Sequence, residues 1–419
     1  MASKRITFEN GRGETLAARL DLPVDGAPDA YAVLAHCFTC SKDLKGLRRL
    51  SSALALEGFA VLRLDFTGLG ESEGEFALTT FTSTVHDLLA AARHLEEHYE
   101  APSLLVGHSL GGAAVLVAAS QIASVRAVAT IAAPADPLHV ERLLTEERSV
   151  IEERGEAEVD IGGRPFTLRR EFLEDLRRSE LPGSLSELRV PLLILHSPVD
   201  NVVGIDDARR LFEAALHPKS FVSLDGADHL LTDEADATFA GGVIASWAGR
   251  YVGRQRAPWK RDLHDNRVVA RTEGGLRTEI LADGFGIVAD EPVAVGGTAT
   301  GPTPYDLLGA ALGACTTMTL RLYADRKGWP LEAAEVRVRH AKVHAADSHR
   351  DAQTGARARG AKLDRFDREL ELHGPLDEEQ RARLLEIANR CPVHRTLHDG
   401  PVEIATSLAP QAASATADD

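Results

Sequence analysis

From residue 1 to about residue 248, short apolar runs alternate with amphipathic ones. The runs Ala32–Ala35, Ala60–Leu64, Ser103–Val106, Ala127–Ile131, Pro191–Leu195 and Ser220–Leu224 read as strands. Leu44–Leu56 reads as a helix, with Leu44, Leu47 and Leu54 on one face. Strands that alternate with helices imply βαβ units and a mainly parallel sheet flanked by helices. Residues 134–189 interrupt the alternation. That stretch is charged, carries Gly162-Gly163, and is expected to form a small lid or insertion.

The pattern changes after residue 248. Residues 249–262 read as a linker, with Arg250, Arg254, Arg256, Lys260 and Arg261 around Pro258. Arg267–Ala270, Arg277–Ala282 and Gly286–Val288 then look like short antiparallel strands. A long helix is expected from Pro304 to about Lys327, with Thr303 as N-cap and Pro304 at the first helical position. Strands follow near Glu335–Val343 and Arg365–Leu372. A second helix is expected over Glu378–Arg390, with Asp377 and Gln380 as a variant capping box. Strands with two long helices make 263–408 an α+β domain. The polar segment Ala345–Ala361 reads as a mobile loop, and the tail 409–419 as disordered. The sequence shows no internal repeat.

Composition narrows the function. Of the 419 residues, 44% are hydrophobic and 26% charged, as in a soluble globular protein. The net charge of −16 disfavours nucleic acid or an anionic membrane as main partner. The N-terminal residues carry no apolar signal core, and no segment is read as reaching the roughly 20 apolar residues of a membrane helix. The expected location is therefore cytoplasmic. In such a reducing compartment Cys37, Cys40, Cys315 and Cys391 are expected to be reactive, ligating or buried rather than a disulfide framework.

The strongest chemical signal is Gly107-His108-Ser109-Leu110-Gly111, between an apolar strand and a small-residue helical run. Strand, G-x-S-x-G and helix in that order form a nucleophile elbow. A serine hydroxyl needs a base in hydrogen-bond reach, and the base needs an orienting acid. Asp200 and His229 stand just after predicted strands. Asp225 and Asp228 are rival acids, but both lie very near His229 in sequence. The order Ser109, Asp200, His229 resembles that of the α/β-hydrolases, as does the turn Asp65-Phe66-Thr67-Gly68-Leu69-Gly70-Glu71-Ser72. This resemblance covers about residues 1–248. It implies an α/β-hydrolase fold and an oxyanion hole made by the N–H groups of Leu110 and Phe38. Cys37 stands where most relatives have glycine in that loop. His36 and His108 are expected to be structural or to line the pocket. Cys37 and Cys40 are read as loop packing, neither a zinc site nor a redox pair.

Two cysteines remain. Cys315 follows the small residues Gly309, Ala310, Ala311, Gly313 and Ala314, which let another backbone approach closely; Cys391 ends the second helix. A thiolate that attacks a peroxide and a second that condenses with the sulfenic acid would account for such a pair. Gly301-Pro302-Thr303-Pro304-Tyr305-Asp306-Leu307-Leu308, leading to Cys315, and Cys391-Pro392 resemble the OsmC/Ohr family. The whole chain resembles the type in which an α/β-hydrolase is fused to an OsmC-like domain. The resemblance implies an intertwined homodimer. It also implies a glutamate before the long helix and an arginine on the first strand, which together support the thiolate. Here the glutamate position falls on Tyr305, with Asp306 beside it, and Arg271 or Arg277 is the candidate arginine. His340, His373, His394 and His398 show no metal-ligand spacing.

These features predict a cofactor-independent and metal-independent serine hydrolase of a small-molecule carboxylic ester or related acyl bond. Its C-terminal domain would reduce an organic hydroperoxide at the expense of a dithiol. The alternative is a C-terminal domain that only dimerises or binds a small ligand.

Overall fold

The apolar runs become the centre of an eight-stranded sheet. A computed structural model describes residues 2–23, 28–144, 147–161, 164–179, 185, 188–252, 268–272, 274–282, 285–344, 362–398 and 402–407. Its first strands are β1 (Ala2–Glu9), β2 (Thr15–Leu22), β3 (Ala30–Ala35), β4 (Phe59–Leu64), β5 (Leu104–His108) and β6 (Ala127–Ile131). A separate hairpin, β7 (Glu156–Asp160) and β8 (Pro165–Arg169), precedes β9 (Leu192–His196) and β10 (Lys219–Ser223). The sheet order is β1-β2-β4-β3-β5-β6-β9-β10. From β4 to β10 every pairing is parallel, while β1–β2 and β2–β4 are antiparallel.

Helices cover both faces, which is why the central strands have no polar side. They are α1 (Lys45–Leu56), α2 (Phe81–His98), α3 (Leu110–Ala119), α4 (Glu147–Arg154), α5 (Arg170–Arg178), α6 (Ile205–Ala214) and α7 (Glu234–Ala248). Alternate residues of each strand serve opposite cores. Val33, Leu62, Leu105, Val128 and Ile194 pack with α2 and α3, whereas Leu34, Val61, Val106 and Leu195 pack with α1 and α7. Each such side chain, fully buried, contributes about 1.5–3 kcal/mol. The stretch expected to form an insertion holds a 3-10 turn, α4, the β7–β8 hairpin and α5.

The chain divides into two compact units, Met1–Val288 and Ala289–Asp419. The division falls beyond the expected linker 249–262, one residue before the end of the three-stranded sheet of β11 (Val268–Thr272), β12 (Thr278–Ala282) and β13 (Phe285–Ala289), in which β11 and β12 are antiparallel. The sheet packs on α1: Ser52 Oγ bonds Glu279, and a Cβ on Gly286 would meet Leu56. Residues 253–262 of that linker, the segment Ala345–Ala361 and the tail 409–419 lie outside the described residues.

The second unit is built on α8 (Pro304–Lys327), a two-stranded ladder of β14 (Ala333–His344) and β15 (Lys362–His373), α9 (Glu378–Ala388) and the unanticipated α10 (Pro392–His398). Thr303 and Asp306 form a capping box at the start of α8, and Asp377 and Gln380 form one at α9. The expectation about membrane-length segments is corrected by α8. An 18-residue window within its 24 residues reaches a mean hydropathy of 1.2, enough by length and composition alone to cross a bilayer. Alternating Gly, Ala and Thr with Leu dilute the apolar run to the eye but not in the average.

Candidate active sites

Ser109 sits between β5 and α3 with φ 54° and ψ −127°. A non-glycine residue at positive φ costs about 1–3 kcal/mol and persists only when its surroundings impose it. Here the Ser109 N–H donates to Ile131 C=O at 2.9 Å, and its own C=O accepts from Gly112 N–H at 2.8 Å. The glycines are required by closeness. A methyl at Gly107 would lie 2.4 Å from Gly111 O, and one at Gly111 would lie 2.3 Å from His36 O.

The turn after β4 is a structural device. Asp65 accepts from the N–H groups of Lys42 (2.7 Å) and Glu71 (2.9 Å) and pairs with the buried Lys42 ammonium at 2.6 Å. A Cβ at Gly70 would strike that carboxylate. Lys42 also reaches Glu71 at 2.7 Å.

Around Ser109 the three residues read from the sequence come together. Ser109 Oγ lies 3.1 Å from His229 Nε2, and His229 Nδ1 lies 2.8 Å from Asp200 Oδ2. Each bond has one donor if Ser109 O–H donates to Nε2 and Nδ1–H donates to the carboxylate. The other Asp200 oxygen accepts from the N–H groups of Val202 and Val203, at 2.8 and 2.9 Å. Burial pushes the Asp200 pKa up, but the His229 bond and the backbone donors outweigh it and hold the carboxyl below its ordinary range. The rival acids are engaged elsewhere: Asp228 with Leu230 N–H and Thr232, Asp225 with Ser223 Oγ. His108 is buried, and its Nε2–H donates to His229 C=O at 2.6 Å. Burial lowers its pKa to about 3, so it is neutral and fixes the His229 backbone.

The Phe38 and Leu110 N–H groups make no hydrogen bond among the described residues. Both residues line one cavity with His36, Phe66, Leu69 and Phe76. The insertion closes on this side: Phe172 of α5 stacks on Phe38 at 4.9 Å, and Phe166 of β8 meets Phe76 at 4.9 Å. One expectation fails in this loop. Cys37 and Cys40 are joined by a disulfide that brackets Phe38, so they are not packing thiols. The bend from Cys37 to Cys40, whose N–H donates to Cys37 C=O at 3.3 Å, brings the two Cα atoms to 5.3 Å, within disulfide range.

In the second unit Cys391 is buried and Cys315 is half-buried, and both are free thiols. His394 N–H donates to Cys391 Sγ at 3.3 Å. Thr316 gives its proton to Leu312 C=O, so the Cys391 S–H donates to Thr316 Oγ1 at 3.6 Å. Arg368 of β15 organises the group. It donates to Thr316 Oγ1 at 2.9 Å, Ala388 C=O at 3.0 Å, Asn389 Oδ1 at 2.7 Å and His394 Nδ1 at 3.0 Å. Arg368 and His394 were not foreseen.

Arg271 and Arg277 belong to the first unit, where Arg277 pairs with Glu279. Asp306 is taken up by the Thr303 cap. Tyr305 stacks on His340 at 4.0 Å, and His340 bonds Asp364. Glu335, Glu371 and His373 converge on the exposed ladder, but the Arg337 guanidinium lies on both carboxylates.

Residues 27–152 match the serine aminopeptidase S33 family, and residues 297–407 match the OsmC-like protein family. A solved esterase domain from a Rhodothermus marinus protein is 55% identical, over 60% of this chain and all of that one, with a TM-score of 0.51. The chain belongs to the α/β-hydrolases in its first part and carries an OsmC-like domain in its last. Mouse mitochondrial palmitoyl-protein thioesterase ABHD10 is 29% identical over 186 residues, 43% of this chain. The match spans 62% of that mouse protein's length, less than two thirds. Est1E from Butyrivibrio proteoclasticus, solved with ferulic acid, shares the fold at 21% identity and a TM-score of 0.51, over 58% of this chain and 98% of that one.

Proposed function

We propose that the first unit is a serine hydrolase of carboxylic esters or related acyl bonds, thioesters included. The hydrogen-bonded series Ser109–His229–Asp200 carries this reading. Ser109 attacks the acyl carbon, and His229 takes its proton and returns it to the leaving group. Asp200 orients His229, and the Phe38 and Leu110 N–H groups receive the oxyanion. The thioesterase name of the mouse relative agrees with acyl transfer. A fluorophosphonate probe should label the full-length protein and not Ser109→Ala; equal labelling of both would refute the reading. Hydrolysis of p-nitrophenyl esters of graded chain length would then define the acyl group.

For the OsmC-like unit the reading is a thiol peroxidase. The more exposed Cys315 attacks the terminal oxygen of an organic hydroperoxide, the O–O bond breaks, and the alcohol leaves. Cys391 condenses with the sulfenic acid and releases water. An external dithiol then reduces the disulfide. Its support is the pair of free thiols and the Arg368–Thr316 contact to Cys391. Cumene hydroperoxide consumption with dithiothreitol should fall to background in Cys315→Ser. Unchanged turnover would leave the unit as a dimerisation or ligand-binding module, which the uncovered apolar surface of α8 also supports.

A further inference from the structure

Five cationic side chains, Lys45, Arg48, Arg49, Arg271 and Arg277, line a groove of about 600 Å3 within the first unit. Two carboxylates share its walls: Glu234 pairs with Arg49 at 3.0 Å, and Glu279 pairs with Arg277 at 2.9 Å. Lys45 and Arg48 form no ion pair among the described residues. Positive charge gathered in this way stands against a chain whose net charge is −16. The groove includes the first turn of α1, where Leu44 supplies no side-chain cap. The amide N–H groups of that turn add to its pull on anions.

The place of the groove matters as much as its charge. Leu231 and Thr232, just past His229 in the chain, form part of its wall. Gly46 of α1 is pressed against the same loop, since a Cβ there would lie 2.6 Å from Leu230 O. His229 returns the proton to the departing atom, so the leaving group lies on the His229 side of Ser109.

We propose that this groove holds the phosphate groups of a phosphorylated leaving group, so that the hydrolase cleaves acyl esters or thioesters of a phosphorylated alcohol or thiol. Guanidinium forks bind phosphate oxygens in pairs, and several cations along a groove suit an anion of more than one charge. The proposal rests on the Ser109 hydrolase reading, and its test separates the two.

The full-length protein would be given butyryl-coenzyme A and S-butyryl-N-acetylcysteamine, which share acyl group and thioester but not phosphates. The KM for the phosphorylated ester should be lower by about tenfold, with the difference shrinking at high salt. In Lys45→Glu/Arg48→Glu that KM should rise about tenfold, while kcat/KM for the neutral ester stays within about twofold, which also certifies the fold. Dibutyryl phosphatidic acid as a third substrate distinguishes a lipid headgroup from a soluble phosphorylated thiol. Preference for either one supports the groove. Equal KM for charged and neutral esters in wild type and variant overturns the proposal and leaves the hydrolase standing. If no ester is cleaved, the hydrolase reading fails. Calorimetry with inorganic pyrophosphate on Ser109→Ala then decides the groove alone: binding lost on charge reversal supports it, and no binding overturns it.

Discussion

Two residues next to the nucleophile show how narrowly the elbow is built. A methyl at Gly111 would meet the His36 carbonyl at 2.3 Å, with the Ala35 carbonyl oxygen at 3.0 Å. Gly111→Ala should therefore destabilise the protein by about 1–3 kcal/mol and lower ester turnover; an unchanged urea midpoint would contradict this. His108 has a pH signature. Its folded pKa of about 3 lies below the ordinary histidine value, so the folded protein binds the proton less readily than the unfolded chain. Its contribution is complete above pH about 6.5 and is lost as pH falls towards 3, at about 1.4 kcal/mol per unit. His108→Gln can still donate to the His229 carbonyl but cannot take a proton. Its urea midpoint should vary less between pH 4 and 7 than that of the wild type, and an identical slope would rule the account out. Ser109 is legible because it directly follows an apolar strand, and Asp200 and His229 because they stand a few residues past later strands in a known order. Arg368 was not: it lies in the charged run of β15, and its meeting with Thr316 depends on how β15, α8 and the end of α9 pack together.

At the scale of elements, the loop after β3 joins two devices, the Cys37–Cys40 disulfide and the stack of Phe38 on Phe172. Closing so short a loop stabilises by about 2 kcal/mol. Dithiothreitol, or Cys37→Ser/Cys40→Ser, should lower the melting temperature and reduce kcat for short esters by loosening Phe38. Equal kcat in reduced and oxidised protein would detach the disulfide from catalysis. Phe172→Ala should shift chain-length preference among p-nitrophenyl esters more than it shifts turnover of the shortest one. The central strands were easy to read because both faces are buried. The β1–β2 hairpin is harder to read. Its half-buried alternation, Ile6 and Phe8 against Leu16, Ala18 and Leu20, is a fainter signal than a continuous run. The C-x-x-C spacing was visible, but spacing alone does not tell a packed pair from a bonded one.

At the scale of the whole molecule, the two units raise different questions. The first closes its own cores, whereas α8 leaves Leu308, Met318 and Leu322 exposed. Exposed apolar side chains of that kind favour a covering partner, and we propose that a second copy of the chain is that partner. Met318→Glu/Leu322→Glu should convert the full-length protein from dimer to monomer in sedimentation, with ester hydrolysis retained. A wild-type monomer would contradict the dimer. The uncovered helix also bears on biosynthesis. During translation the hydrolase unit emerges complete before α8 leaves the ribosome, so it can fold before that surface appears. The last part of the chain, by contrast, reaches the cell with an apolar helix in search of cover. With a second copy as that cover, the yield of usable protein would depend on how many sister chains are being made nearby.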